Sequence, residues 1–171
     1  MPTLLKGFGK DSGLSATLIG FILIVPSVTG AIAIVLNGNH SDKIGERKWH
    51  TIIPMLFVAC AYLLITLPIG GLRYKIAILA LYGIGSTAWY GPYWTLPASF
   101  IAPEILAVSM AVINTSSSLG GYIGNQLAGI VSAQFGSTGV FIFMACCVFA
   151  SVLLVLTLDT KKIAKKTVSK A

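Results

Sequence analysis

Charged residues fall into a few short clusters along this chain, and between them the sequence runs uncharged from Leu14 to Leu36, Thr51 to Leu72, Ile76 to Pro103 and Ile105 to Leu158. These runs are 23, 22, 28 and 54 residues long. A helix rises about 1.5 Å per residue, so about 20 apolar residues cross the roughly 30 Å of bilayer hydrocarbon. Each of the first three runs therefore predicts one crossing and the fourth predicts two. The fourth should divide at Gly136-Ser137-Thr138-Gly139, a tetrapeptide of turn-forming residues. The expected architecture is an all-α membrane protein with five transmembrane helices at about 14–36, 51–72, 76–98, 105–135 and 140–158. A loop over 1–13 precedes them and a basic tail over 159–171 follows.

Composition supports the same reading: 56% of the residues are hydrophobic and 10% are charged, against about a quarter charged in a soluble domain. Residues 1–13 carry Lys6, Lys10 and Asp11 without the apolar core and small-residue cleavage site of a signal peptide. Orientation follows from the basic residues. One side of the five spans collects Lys43, Arg47, Lys48, Lys161, Lys162, Lys165, Lys166 and Lys170, against Lys6, Lys10, Arg73 and Lys75 on the other. The richer side is expected to be cytoplasmic, with the C-terminus on it. The net charge of +7 is then a consequence of topology, directed at anionic lipid rather than nucleic acid. Cys60, Cys146 and Cys147 lie in apolar runs without metal-ligand spacing and read as buried small hydrophobes. No metal site and no cofactor is expected.

The stretch Gly38-Asn39-His40-Ser41-Asp42-Lys43-Ile44-Gly45-Glu46-Arg47-Lys48-Trp49-His50 joins the first two spans. Gly38 is placed to end a helix in a left-handed conformation and Gly45 to turn the connection. Asp42 is placed to meet the positive end of a neighbouring helix, with Lys43, Arg47 and Lys48 on the cytoplasmic side. A basic turn without special role would explain the charges, but not two glycines and an aspartate at this spacing. The stretch resembles the G-x-x-x-D-[R/K]-x-G-x-R-[R/K] loop of the major facilitator superfamily, which occurs there after helix two and again after helix eight. Its wording is similar to the second loop of the anion:cation symporter branch, G-R-H-S-D-R-x-x-E-R-R-W-H. Trp94-Thr95-Leu96-Pro97 resembles the W-x-L-P segment ending helix ten of that branch. Ser109-Met110-Ala111-Val112-Ile113-Asn114-Thr115, followed by Leu119-Gly120-Gly121, resembles its helix eleven.

The resemblance extends over nearly the whole chain and implies alignment with helices eight to twelve of a twelve-helix transporter. Such a piece lacks one of the two halves between which these proteins build a substrate path at the bilayer midplane. Consistently, Asp11, Asp42, Glu46, Glu104 and Asp159 all lie at span ends or in loops, and a proton relay needs ionisable groups within the membrane. In relatives of this branch the coupling acids and the anion-binding arginine are on the N-terminal helices. The resemblance implies that half a pocket remains, at Tyr93, Trp94 and Asn114, whose ring edges and amide suit an anion bearing hydroxyls. Thr115-Ser116-Ser117-Ser118 replaces the branch's S-x-G-N, which leaves the choice of substrate open.

The remaining features read as structural. Trp89 and Tyr90 fit an interfacial aromatic belt. Gly120, Gly121 and Gly124 supply small-residue spacing for close helix packing, with Asn125 and Gln126 following on the same helix. Pro26, Pro54 and Pro92 can kink their spans, and Ala102-Pro103-Glu104 suits a helix start. His40 and His50 read as solvated loop histidines. No H-E-x-x-H, G-x-S-x-G or phosphate-binding glycine loop is present, so an enzyme is not expected. The expected function is that of the C-terminal part of a secondary transporter for a small organic anion such as a tartrate-, phthalate- or sugar-acid-like carboxylate. Proton coupling and alternating access are implied, in a bacterial cytoplasmic membrane, with lipid, H+ and a missing N-terminal half or complementary chain as partners. The alternative is a non-transporting membrane fragment that needs another chain.

Overall fold

A computed structural model describes residues 15–69, 71–99 and 101–158; the loop predicted over 1–13 and the basic tail over 159–171 lie outside them. The described residues form helices and connections without strands. Helix α1 covers Ala16–Ile44, α2 Lys48–Leu64, α3 Leu72–Ala88, α4 Tyr90–Ala98 and α5 Pro103–Thr157. By length and apolar composition, two of them are able to cross a membrane: Thr17–Ile44 of α1 and Pro103–Thr157 of α5.

The boundaries differ from the predicted spans for local physical reasons. Ser15 starts α1, its Oγ accepting from the Leu18 N–H at 3.3 Å. That helix continues through Gly38 to Ile44, because the residue that turns left-handed is Gly45, at φ 71°. The Gly45 N–H donates to the Ser41 carbonyl at 2.9 Å, a glycine C-cap. Helix α2 ends at Leu64, eight residues before the predicted limit of 72, and the Tyr74 hydroxyl covers its end by donating to the Leu64 carbonyl at 2.7 Å. The predicted span 76–98 is two helices, α3 and α4, interrupted at Trp89. Pro103 stands in the first turn of α5 with Glu104 beside it, as the sequence leads one to expect. Along α5 the backbone leaves helical geometry at Gly136 (φ 66°, ψ −166°), in the turn-forming tetrapeptide singled out above.

Helix α3 lies between α1 and α2, and small residues allow it. A Cβ on Gly83 would fall on the Pro26 carbonyl oxygen and Thr29 Oγ1 of α1, and one on Gly85 would lie 2.7 Å from the Pro54 carbonyl oxygen and the Val58 nitrogen of α2. Hydroxyls tie the same surfaces together, Thr87 Oγ1 donating to the Gly30 carbonyl at 2.8 Å and Thr29 Oγ1 lying within reach of both the Val25 carbonyl of its own helix, at 3.0 Å, and the Ala80 carbonyl, at 3.2 Å. This is how helices associate where lipid offers no hydrophobic drive between them. The far limb of α5 closes the bundle against α2, burying Ala145 and Val152 and bringing Phe141 to 6.2 Å from Tyr62, ring centre to ring centre. The near limb is different. No residue over 103–135 is buried, and Val108, Leu119, Tyr122 and Phe135 are each at least 60% exposed.

Gly38 does not end a helix; it lies inside α1, where that helix passes close to Gly91 of α4. The three cysteines are free and exposed rather than buried, because an apolar side chain in such a chain can point out of the bundle at no cost where lipid covers it.

Candidate functional site

The turn between α1 and α2 joins several charged and polar side chains, Ser41, Asp42, Glu46, Arg47 and His50 among them, into one hydrogen-bonded structure. Asp42 was expected at the positive end of a neighbouring helix; Glu46 takes that place, its two carboxylate oxygens accepting from the Trp49 N–H at 2.9 and 3.0 Å. Asp42 instead pairs with Arg47 at 3.4 Å. The exchange follows from the length of α1: with the helix running to Ile44, Asp42 stays in its last turn, and Glu46 lies just ahead of the first residue of α2. Ser41, 1% exposed, donates to the Glu46 carbonyl at 2.8 Å and so fixes the turn from inside. Lys43 stands in the last turn of α1, at the negative end of that helix.

The histidines belong to this structure too. His50 Nδ1 lies 3.0 Å from Glu46 Oε2 and His50 Nε2 lies 2.7 Å from His40 Nδ1. With Nδ1–H of His50 donating to the carboxylate, its Nε2 is left to accept from His40. Partial burial pushes the Glu46 carboxyl up, but the Trp49 N–H and the His50 ring and N–H outweigh it and hold the carboxyl below its usual value. Lys48 reaches across the molecule, its Nζ donating to the Leu156 and Leu158 carbonyls at 2.7 Å each. A cation thereby caps the C-terminal end of α5, and the α1–α2 turn and that end of α5 share one end of the bundle.

The second constellation is the aromatic run at the α3–α4 junction. Trp89 stacks on Tyr90 with ring centres 4.3 Å apart, Tyr93 meets Trp89 edge-on at 5.1 Å, and Trp94 meets Tyr93 edge-on at 5.4 Å. Trp89 Nε1 donates to the Ser86 carbonyl at 3.1 Å. Tyr93 and Trp94 are half-buried. Asn114 stands exposed on the near limb of α5, its carbonyl accepting from Ser118 Oγ at 3.1 Å. Among the described residues no hydrogen bond links Asn114 to Tyr93 or Trp94. Nor does any heavy atom outside their own helix lie within 4 Å of a Cβ built on Gly120, Gly121 or Gly124. The close packing that sequence reasoning sought at those three glycines occurs instead at Gly30, Gly83 and Gly85.

One residue that sequence reasoning passed over joins the two constellations. Asn37, half-buried in α1, donates from Nδ2 to the His50 carbonyl of α2 and to the Ala88 carbonyl at the end of α3, both at 2.8 Å. Both carbonyls lie four residues before a proline, Pro54 and Pro92, which was the available signal.

The sequence is similar to those of several known proteins. A protein of Agrobacterium vitis that is named for tartrate transport is 33% identical over 150 residues, 87% of this chain and 33% of the relative. The metabolite transport protein NicT of Pseudomonas putida is 30% identical over 166 residues, 94% of this chain and 36% of the relative. A quinolone resistance transporter of Acinetobacter baumannii is 30% identical over 140 residues, 80% of this chain and 31% of the relative. The chain thus spans about a third of the length of the curated relatives it matches. No solved structure matches it significantly. Over residues 1–171 the sequence matches the Major Facilitator Superfamily, and the chain belongs to that family of membrane transporters rather than to any family of enzymes.

Proposed function

We propose that this chain is the C-terminal part of a secondary active transporter for a small organic anion, a carboxylate or sugar acid, working by alternating access with proton coupling. The observation that carries this reading is the near limb of α5. It is uncharged from Ile105 onward, it has no buried residue over 103–135, and it holds Asn114 on an exposed surface. A polar amide within an apolar span is costly unless it meets a partner or a water-filled path. A second helical half covering this limb would complete a pocket of which Tyr93, Trp94 and Asn114 form one wall. Their hydrogen-bonding tips suit a hydroxylated carboxylate, in keeping with the name of the Agrobacterium vitis relatives. The five crossings, the bacterial cytoplasmic membrane and the cytoplasmic C-terminus belong to the same reading. Lys48 supports the last of these, since its bonds to Leu156 and Leu158 put the basic α1–α2 turn and the end of α5 on one side.

The same bare limb favours one second reading, a membrane subunit that pairs with another chain without transporting. Uptake of labelled tartrate and related acids separates the two. Cells express the chain alone, or together with a seven-helix N-terminal piece of a relative. Uptake only with the partner, reduced at least tenfold by Trp94→Ala or Asn114→Ala, is the expected result. No uptake in either case favours the second reading, and uptake by the chain alone removes the need for a missing half.

A further inference from the structure

We propose that Asn37 is a positioning residue for the aromatic run, supplying from one side-chain amide the hydrogen bonds that two prolines withhold from two helices. A proline has no N–H, so the carbonyl four residues before it loses its helical donor. Pro54 removes the donor for His50 and Pro92 the donor for Ala88, and those are the two carbonyls on which Asn37 Nδ2 sits, at 2.8 Å each. Both partners are acceptors only, which fixes the amide with its nitrogen towards them, and its two hydrogens are used once each. In an apolar span a carbonyl freed by proline has to find a substitute donor. Here a single side chain on α1 serves α2 and the α3–α4 junction together.

The Ala88 carbonyl is the last of α3, and Trp89 directly follows it. Trp89 is at the head of the ring sequence Trp89, Tyr93, Trp94, and the Tyr93 N–H donates to the Trp89 carbonyl at 3.0 Å. Asn37 therefore sets where the interrupted helix turns its aromatic side chains, its own hydrogen bonds going to the backbone carbonyls of His50 and Ala88. The other bond, to His50, ties the same level of α1 to the first turn of α2, at the residue whose ring lies between Glu46 and His40. Assigning a substrate role to the rings so positioned rests on the function proposed above; the positioning itself does not.

The test uses the full chain in lipid nanodiscs with Trp49→Phe, which leaves Trp89 and Trp94 as the emitting residues. Asn37→Leu, close in size and without donors, should raise acrylamide quenching of those tryptophans at least twofold and shift their emission. Adding Pro92→Ala, which returns a backbone N–H to the Ala88 carbonyl, should bring quenching back to within about a fifth of the parent value. Adding Pro54→Ala instead should not, because the carbonyl it serves lies on α2. A merely structural loss would be relieved by either alanine. If Asn37→Leu does not insert, insertion restored by Pro92→Ala and not by Pro54→Ala is the same result in another readout. Unchanged quenching in Asn37→Leu, or equal rescue by both alanines, or rescue by neither, overturns the proposal. Should the rescue pattern hold while Trp94→Ala leaves uptake intact, the pocket reading fails and the positioning role stands.

Discussion

Gly83 and Gly121 are the same residue type in apolar helices, yet they carry different structural weight. At Gly83 a methyl group would meet the Pro26 carbonyl oxygen and Thr29 Oγ1, and the first of these is backbone that cannot turn away; at Gly121 it would meet nothing within 4 Å. Overpacking of this kind costs about 1–3 kcal/mol. Gly83→Ala is accordingly expected to destabilise the chain by about that amount in unfolding from detergent micelles, while Gly121→Ala stays within about 0.5 kcal/mol of the parent. Equal effects would show that α1 and α3 can separate freely. Gly121→Ala should become harmful only where a second helical half covers it, so repeating the pair with a co-expressed partner reports on that surface as well.

At the scale of elements, the α1–α2 connection behaves as a single electrostatic unit. Glu46 takes the Trp49 N–H and orders His50, which meets His40. Its carboxyl is held below its ordinary value of 4.5. A group whose pKa is lower folded than unfolded contributes stability above the unfolded value, and that contribution is lost as pH falls through the folded value. The turn should therefore hold at neutral pH and loosen only below about pH 4.5. Hydrogen exchange at the start of α2, followed by mass spectrometry in nanodiscs, should show protection lost on acidification. In Glu46→Gln that acid-dependent step should disappear, and protection at neutral pH should fall by about 0.3–1 kcal/mol, as for a carboxylate at a helix N-terminus. An unchanged acid profile in Glu46→Gln would mean that other groups hold the turn.

For the molecule as a whole, what matters is the medium on its outside. The far limb of α5 packs on α2 while the near limb packs on almost nothing, and exposed apolar side chains run along both. In water that surface would drive aggregation; in a bilayer or against a second half it is covered. The three exposed cysteines lie in apolar stretches of α2 and α5 and report on this directly. With the chain reconstituted in vesicles, a lipid-soluble maleimide should modify Cys60, Cys146 and Cys147, whereas a charged, membrane-impermeant one should label them at least tenfold more slowly. Rapid labelling by the charged reagent would place these helices in water and remove the basis for a membrane-spanning reading.

The helical membrane class and the family were legible from a linear chain because both depend on local quantities. Run length against bilayer thickness, the spacing of Gly45, Glu46, Arg47 and Lys48 in the first connection, and the wording at Trp94 and Asn114 can all be counted without knowing any contact. Even the helix start at Pro103 is local, set by a proline and a carboxylate in one turn. What needed the third dimension is every relation between helices. Nothing in the sequence distinguishes Gly83, which α1 and α3 press together, from Gly121, which nothing touches. Asp42 and Glu46 compete for one helix end, and the winner depended on where α1 stopped. Asn37 could be known as a hydrogen-bond donor from its residue type, and Pro54 and Pro92 as sources of unpaired carbonyls from theirs. That one amide would meet both carbonyls depended on how α1, α2 and α3 cross, because a hydrogen bond exists only within about 3 Å and sequence spacing does not measure distance between helices.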